Sequence, residues 1–358
     1  PGTSTAGTTI LDNDDAPQFS IADVSVSEGS TATLTITRSG DAQSSQTVDV
    51  ASLAPVSGTD TAEANDFTAL GVTTLTFAQG ETSKTVTIDT TADEVYEGPE
   101  TFRVELSNAT GGATISDDTG VVTILDDGTG PDPDGPDGPD EPDDDRPVLT
   151  IGDATTEEGS SAAFAVTLSN ASEAPVDVTF TAAVLAGNTA EAADFDAVNL
   201  VVSYDDNGNE TVITANGDGS YTVPAGVTDL TVAVPTIDDD VYEGDETFTL
   251  SADIADPAYT TTDTGTGTIV DDGSAPDGDD PDQTPDDDRP TVNISGPVEI
   301  DEDAGTATYT ISLSNESEFP VSVDYATSDG TGSNPATAGS DYTASSGTST
   351  LAVFRGEA

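Results

Sequence analysis

Two stretches of this sequence carry the same carboxylates in the same order. In the first, Glu28 stands in VSEGS and Asp66 precedes an aromatic residue in NDF. Asp93, Glu97 and Glu100 follow in ADEVYEGPE, and Asp126 and Asp127 close the stretch. The second has Glu158, Asp194, then Asp238, Asp239, Asp240, Glu243 and Glu246 in IDDDVYEGDE, and finally Asp271 and Asp272. Carboxylates supply hard, anionic oxygens. Where loops gather several of them, the fitting partner is calcium, which takes six to eight oxygen ligands in flexible geometry. Magnesium keeps more of its water and uses fewer carboxylates. Paired carboxylates also serve glycosidases, but an active site occurs once and these sets recur. Sugar platforms need aromatic rings, and the chain is 5% aromatic with no Trp. No catalytic residue and no organic cofactor is expected; the chain reads as non-enzymatic, with Ca2+ as its cofactor.

The carboxylates sit on a repeating frame. DDDRP occurs at 143–147 and 286–290, VYEG at 95–98 and 241–244, and GVVTILDDG at 120–128 is answered by GTGTIVDDG at 265–273. GTTILDNDD at 7–15 is the same closing phrase, so residues 1–15 read as the last strand of a preceding repeat. Full repeats are expected at 16–127 and 147–272. A truncated one is expected at 290–358, where LAVFRGEA answers LTFAQGET and the later phrases are missing. With no Met in the chain, its natural start is expected further upstream. Two stretches of alternating Pro, Asp and Gly, 128–146 and 273–289, read as extended acidic linkers acting as semi-rigid spacers. Asp143, Asp144 and Asp145, with 286–288, are assigned to solvated linker.

Inside each repeat, apolar and polar residues alternate in Thr- and Val-rich runs such as TATLTITRS at 31–39 and TFRVEL at 101–106. Alternation implies strands with one buried and one wet face. The fold class is therefore all-β: tandem immunoglobulin-like antiparallel β-sandwiches joined by Asp/Pro/Gly-rich linkers. Loops of a sandwich collect at its two ends, so acidic groups distant in sequence can converge there. The second repeat is longer by about 203–222, where Asn207-Gly208, Asn216-Gly217 and Asp218-Gly219 favour tight turns; an inserted hairpin is expected.

Composition narrows the partners. There are 70 acidic residues against 6 basic ones, a formal net charge of −64. Such a surface repels phosphate backbones and anionic lipid, so nucleic acid is excluded as a partner. No apolar run reaches the ~20 residues that span a bilayer, so no membrane insertion is expected of this stretch. The chain has neither Cys nor His, which removes disulfides, His-dependent catalytic triads and the usual zinc sites. The DDNGNE stretch at 205–210 is not an EF-hand loop: Glu210 stands where Gly is needed and Asn216 where Glu is needed. Asn-x-Ser/Thr at Asn108, Asn170, Asn209, Asn293 and Asn315 is read as marking turns in a Thr/Ser-rich β protein.

SVSEG, ANDF and SDY, IDDDVYEGDE and the closing TILDD together resemble the Calx-β motif of sodium–calcium exchangers and of bacterial secreted and cell-surface adhesin-like proteins. The resemblance covers nearly all the chain except the two linkers. It implies calcium coordination by Glu158, Asp194, Asp238, Asp239, Glu243, Glu246, Asp271 and Asp272. In the first repeat the leading Asp is replaced by Ala92, leaving Glu28, Asp66, Asp93, Glu97, Glu100, Asp126 and Asp127 and a weakened set. In the third only Glu302 and Asp341 survive. Tyr96 and Tyr242 are expected to pack under the calcium loops.

The function implied is a calcium-stiffened extension module of a secreted or cell-surface adhesin-like protein, bacterial and extracellular. Its expected partners are calcium, neighbouring repeats of the same chain, and a protein or glycan at a cell surface. One alternative is a self-assembling filament or surface-layer subunit using strand addition. Another is a non-catalytic module of a large secreted enzyme.

Overall fold

A computed structural model describes residues 7–8, 15–126, 130–131, 142–143, 145–239, 241–255, 260–271, 288–301 and 304–351. Every element of the described residues is a β-strand, and no helix there is long and apolar enough to cross a membrane. The chain forms two compact units. One holds residues 1–148 with 169–175 and 224–226; the other holds 149–168, 176–223 and 227–358.

The first unit is built on a sandwich. Strand Thr31–Ser39 alternates exposed and buried residues along its whole length, so Thr faces water while Ala32, Leu34 and Ile36 enter the core. It pairs with Ser83–Asp89 and Gln18–Ile21, and Thr114–Asp117 completes that sheet. The facing sheet runs Val24–Ser27, Thr119–Leu125, Glu100–Ser107, Gln46–Ser52, Thr73–Phe77. Between them lie Phe19, Val48, Phe77 and Phe102, all fully buried. The buried Arg38 guanidinium is satisfied in part by the carbonyls of Ser44 and Ala78 and by Gln46 Oε1, and it lies over the Phe77 ring.

The second unit contains a sandwich with two five-stranded sheets. One runs Leu149–Ile151, Ser161–Leu168, Asp229–Pro235, Val201–Asp205, Glu210–Ile213. The other runs Ala154–Glu157, Thr260–Val270, Glu246–Ala255, Val176–Ala183, Tyr221–Val223. Val201–Asp205 and Glu210–Ile213 form a hairpin that reverses through Asn207 and Gly208, both at positive φ. The rest of the insertion turns at Asn216–Ser220 and delivers Tyr221–Val223 to the opposite sheet against Val176–Val178. The same unit carries two antiparallel pairs from the third repeat, Val292–Ser295 with Thr310–Leu313 and Val321–Ala326 with Ser346–Leu351.

Candidate metal centres

The residues that end the strands bring carboxylates together. In the first unit, Glu28 follows strand Val24–Ser27 and Asp126 follows Thr119–Leu125, and these two strands are parallel neighbours. Glu28 N–H donates to the Leu125 carbonyl at 2.9 Å, which fixes the two ends side by side. The second unit repeats this with Glu158 N–H on the Val270 carbonyl at 3.1 Å. A tight turn follows Glu158: Gly159 has φ +71°, and a Cβ there would meet the Asp238 Cβ at 2.9 Å.

Four clusters result, each with one carboxylate oxygen per residue within 4.8 Å of the others: Glu28–Asp126–Asp145, Asp66–Glu97–Glu100, Glu158–Asp271–Asp288 and Asp194–Glu243–Glu246. The clusters of one unit are tied by their own backbone. Glu97 N–H donates to Asp126 Oδ2 at 3.0 Å and Glu243 N–H to Asp271 Oδ2 at 2.8 Å. Asp93 and Asp239 stand at the rim, each donating its N–H to the early glutamate, Glu28 Oε1 at 3.1 Å and Glu158 Oε1 at 3.2 Å. Each also caps its own turn by accepting from the N–H of Val95 or Val241. Asp66 and Asp194 accept from the N–H of Glu63 and Glu191, which aims them at the neighbouring glutamates.

One sequence assignment needs correction. Asp145 and Asp288 are not solvated: they are 4% and 5% exposed and belong to the clusters. Asp126 and Asp145, which flank the first acidic stretch, thus lie in one cluster, as do Asp271 and Asp288, which flank the second. Within the first stretch, Gly130–Pro131 pairs with Pro142–Asp143. Composition reads the DDDRP aspartates as solvated; it does not register that the last of them lies where other carboxylates converge. The interiors of both stretches, with Asp127, Asp240, Asp272 and Glu302, lie outside the described residues. Asp341 is exposed and accepts from the N–H and hydroxyl of Thr337, the turn that Asp60 makes with the Val56 N–H. No carboxylate cluster among the described residues includes it. Tyr96 and Tyr242 are half-buried, and each carbonyl accepts a backbone N–H, from Glu173 and Glu318 respectively, both at 3.0 Å.

The sequence reading also missed these last contacts. SNASEAP at 169–175 and SNESEFP at 314–320 share the pattern SN-x-SE-x-P, a signal available without a structure. Residues 171–172 pair with Val95–Tyr96, and Glu316–Ser317 with Val241–Tyr242. Asn170 Nδ2 donates to Asp145 Oδ1 at 2.8 Å and Asn315 Nδ2 to Asp288 Oδ1 at 3.0 Å.

Burial and like charge dominate the electrostatics. Burial pushes Glu158 up to about 9, helped by Asp239, Asp271, Glu243 and Asp238. Glu97 rises to about 7 through burial, then Asp66, Asp93, Glu173 and Asp126. Glu243 rises to about 7 through burial, with Asp194, Asp239, Glu318 and Glu191 adding to it. Glu100 and Glu246 are raised by burial and by sharing a hydrogen bond with Asp66 and Asp194. Anions packed in this way are stabilised by a proton or by a cation. A hard cation suits the donors: all are carboxylate oxygens, and Glu100 Oε2 is buried without a hydrogen-bond partner in a residue only 5% exposed. Asp238 Oδ1 is likewise buried and unmatched. A bound cation would give such atoms the contact that they lack.

The family model for the Calx-beta domain matches residues 12–128, 215–273 and 286–353, more than half of the chain. The chain belongs to the Calx-beta family. No curated protein matches it significantly. Among solved structures, an apo-form Calx CBD1 domain is 20% identical over 31% of this chain and 97% of its own, with a TM-score of 0.28. CBD12 from CALX1.2 is 16% identical over 67% of this chain and 83% of its own, TM-score 0.30. The calcium binding domain CBD12 of CALX1.1 is 15% identical over 67% and 82%, TM-score 0.29.

The two repeats of this Calx-beta chain differ at one rim position, Ala92 against Asp238. Ala92→Asp is expected to raise the calcium affinity of the first unit about tenfold, since charge count tunes such sites. Asp238→Ala should lower that of the second by a similar factor. Calorimetric titration of both variants against the parent checks this, and equal affinities throughout would remove Asp238 from the ligand set.

Proposed function

We propose that this chain is a calcium-binding extension module of a secreted, cell-surface protein, non-catalytic and stiffened by Ca2+. The observation that carries the reading is the desolvated, unmatched Glu100 Oε2 inside converging carboxylates. Calcium is assigned to the four clusters, with Glu28, Asp126 and Asp145 holding one ion and Asp66, Glu97 and Glu100 another in the first unit. Glu158, Asp271 and Asp288, and Asp194, Glu243 and Glu246, do the same in the second. Asp93, Asp238 and Asp239 add rim charge. Asp126 with Asp145, and Asp271 with Asp288, meet at a cluster, so an ion there ties each pair together. Binding then adds to folding stability, because the unfolded chain has no such site. Membership of the Calx-beta family supports the ion. The formal net charge of −64 supports a medium where divalent cations are abundant.

Calcium titration of the whole chain by calorimetry, with melting in EDTA and in millimolar calcium, tests this. Extracellular modules bind at about 10⁻⁴ to 10⁻³ M, so ~10 mM calcium should add roughly 1.4–2.7 kcal/mol per site. Saturable binding with a raised melting temperature is the expected result. An unchanged melt and no heat of binding would reduce the clusters to solvated acid.

A further inference from the structure

We propose that Glu173 and Glu318 are calcium ligands of the Asp66–Glu97–Glu100 and Asp194–Glu243–Glu246 centres, and that each SN-x-SE-x-P loop is thereby a calcium-held latch. The proposal rests on the calcium reading above and adds to it residues that lie outside the carboxylate set of the repeat. In the sequence, 169–175 falls within the second repeat, yet it belongs to the first compact unit. The loop is placed by its backbone: Ala171 and Ser172 pair with Val95 and Tyr96, and Glu173 N–H donates to the Tyr96 carbonyl at 3.0 Å, one residue before Glu97. The buried Ser172 hydroxyl donates to the same carbonyl at 3.3 Å. Glu173 itself is exposed, so its carboxylate is free to turn toward the cluster. That cluster holds the buried, unmatched Glu100 Oε2.

The other end of the loop touches the second cluster. Asn170 donates to Asp145, a member of the Glu28–Asp126–Asp145 group. One seven-residue phrase therefore contacts one centre of the first unit and bonds the residue next to Glu97 of the other. The second unit repeats the backbone placement and the Asn contact: Glu318 N–H on Tyr242, the pairing of Glu316–Ser317 with Val241–Tyr242, and Asn315 on Asp288. It differs in that Glu318 is half-buried and the Ser317 hydroxyl donates to the Phe319 carbonyl. At the matching place the first repeat reads SGDAQSSQ, 39–46, with neither the Asn nor the Glu. Without a cation, Glu173 brings a further negative charge against Glu97 and Glu100, and repulsion opposes the loop's attachment. With a cation, the same carboxylate becomes a ligand and the loop is held. The latch thus reverses sign with occupancy.

The test is hydrogen–deuterium exchange of the whole chain, following the peptide that spans 169–175 across a calcium titration. In the parent, this peptide should exchange at least ~10-fold faster in EDTA than in calcium. Glu173→Gln should raise the calcium midpoint of protection about tenfold and slow the exchange in EDTA, because the repulsion is gone. Glu94→Gln, which removes an equal charge from an exposed neighbour, should move the midpoint less than about twofold. The peptide spanning 314–320 should not respond to Glu173→Gln. If the parent binds calcium by calorimetry but the 169–175 peptide ignores it, the latch is overturned and the calcium reading stands. The same holds if Glu173→Gln behaves as Glu94→Gln does. If the parent takes up no calcium, both readings fall together.

Discussion

Stripped of calcium, the protein melts at progressively lower temperature as pH rises from about 5 to about 9, and saturating calcium removes most of that slope. The sign follows from which state holds more protons. Glu158 titrates near 9 in the folded chain, and Glu97 and Glu243 near 7, all above the ordinary glutamate value of 4.5. Between those limits the folded state binds more protons than the unfolded one, so stability falls as pH rises. The contribution is fully present below about 4.5. It is lost as pH passes through 7 and then 9. Calcium acts in the opposite direction, since its ligands must be deprotonated and its affinity grows with pH. The calcium-induced rise in melting temperature should therefore be small near pH 5 and reach about 10 °C near pH 8, taking ~3 kcal/mol and the usual size scaling. Global repulsion in so acidic a chain also weakens with acid. Measuring in about 1 M NaCl, where the Debye length is about 3 Å, suppresses that contribution and leaves the buried clusters. A calcium-free melting temperature that stays flat or climbs with pH would mean that these glutamates are hydrated.

Alternation in runs such as 31–39 was enough to read an all-β sandwich, because a period of two leaves a strand one buried and one wet face. The gathering of Glu28 with Asp126, or Glu158 with Asp271, follows from the same logic, since each pair ends neighbouring parallel strands. The fate of the DDDRP phrases was not legible. Composition reports that a segment can bury no core, but it says nothing about whether its two ends meet. Asp145 and Asp288 were hidden for that reason. The loops at 169–175 and 314–320 were legible as a repeated phrase, but their Asn-x-Ser pattern drew a reading as turns. That they carry Asn170 and Asn315 to buried carboxylates depends on three-dimensional placement that no local pattern encodes. Asp341 shows the converse: it stands before an aromatic residue as Asp66 does, yet its oxygen is taken by Thr337.

Gly267→Val is expected to destabilise the second unit by about 3 kcal/mol, at the upper end of the cost of overpacking. Local propensity argues the other way, since Val favours strands and Gly weakens them. The first repeat even has Val122 at the matching position, opposite Phe102. Packing decides between these. Gly267 lies opposite Phe248, and a Cβ there would stand 2.4 Å from Phe248 Cζ and 2.9 Å from Phe164 Cζ. Both rings are fully buried, so neither can swing into solvent. Phe248 is further pinned by stacking on Phe195 at 4.5 Å. In the first repeat the Phe102 ring stacks on Phe67 at 3.8 Å, and the core there has room for Val122, itself fully buried. The strand that carries Gly267 ends at Val270 and leads directly into Asp271, so displacement of the rings reaches the Glu158–Asp271–Asp288 centre. Urea unfolding in EDTA gives the stability change, and calorimetry gives the calcium affinity. Lower stability together with weaker binding means that core packing sets the positions of the carboxylates. Lower stability with unchanged affinity would make the centre rigid in its own right. A variant as stable as the parent would show that the two phenylalanines repack freely.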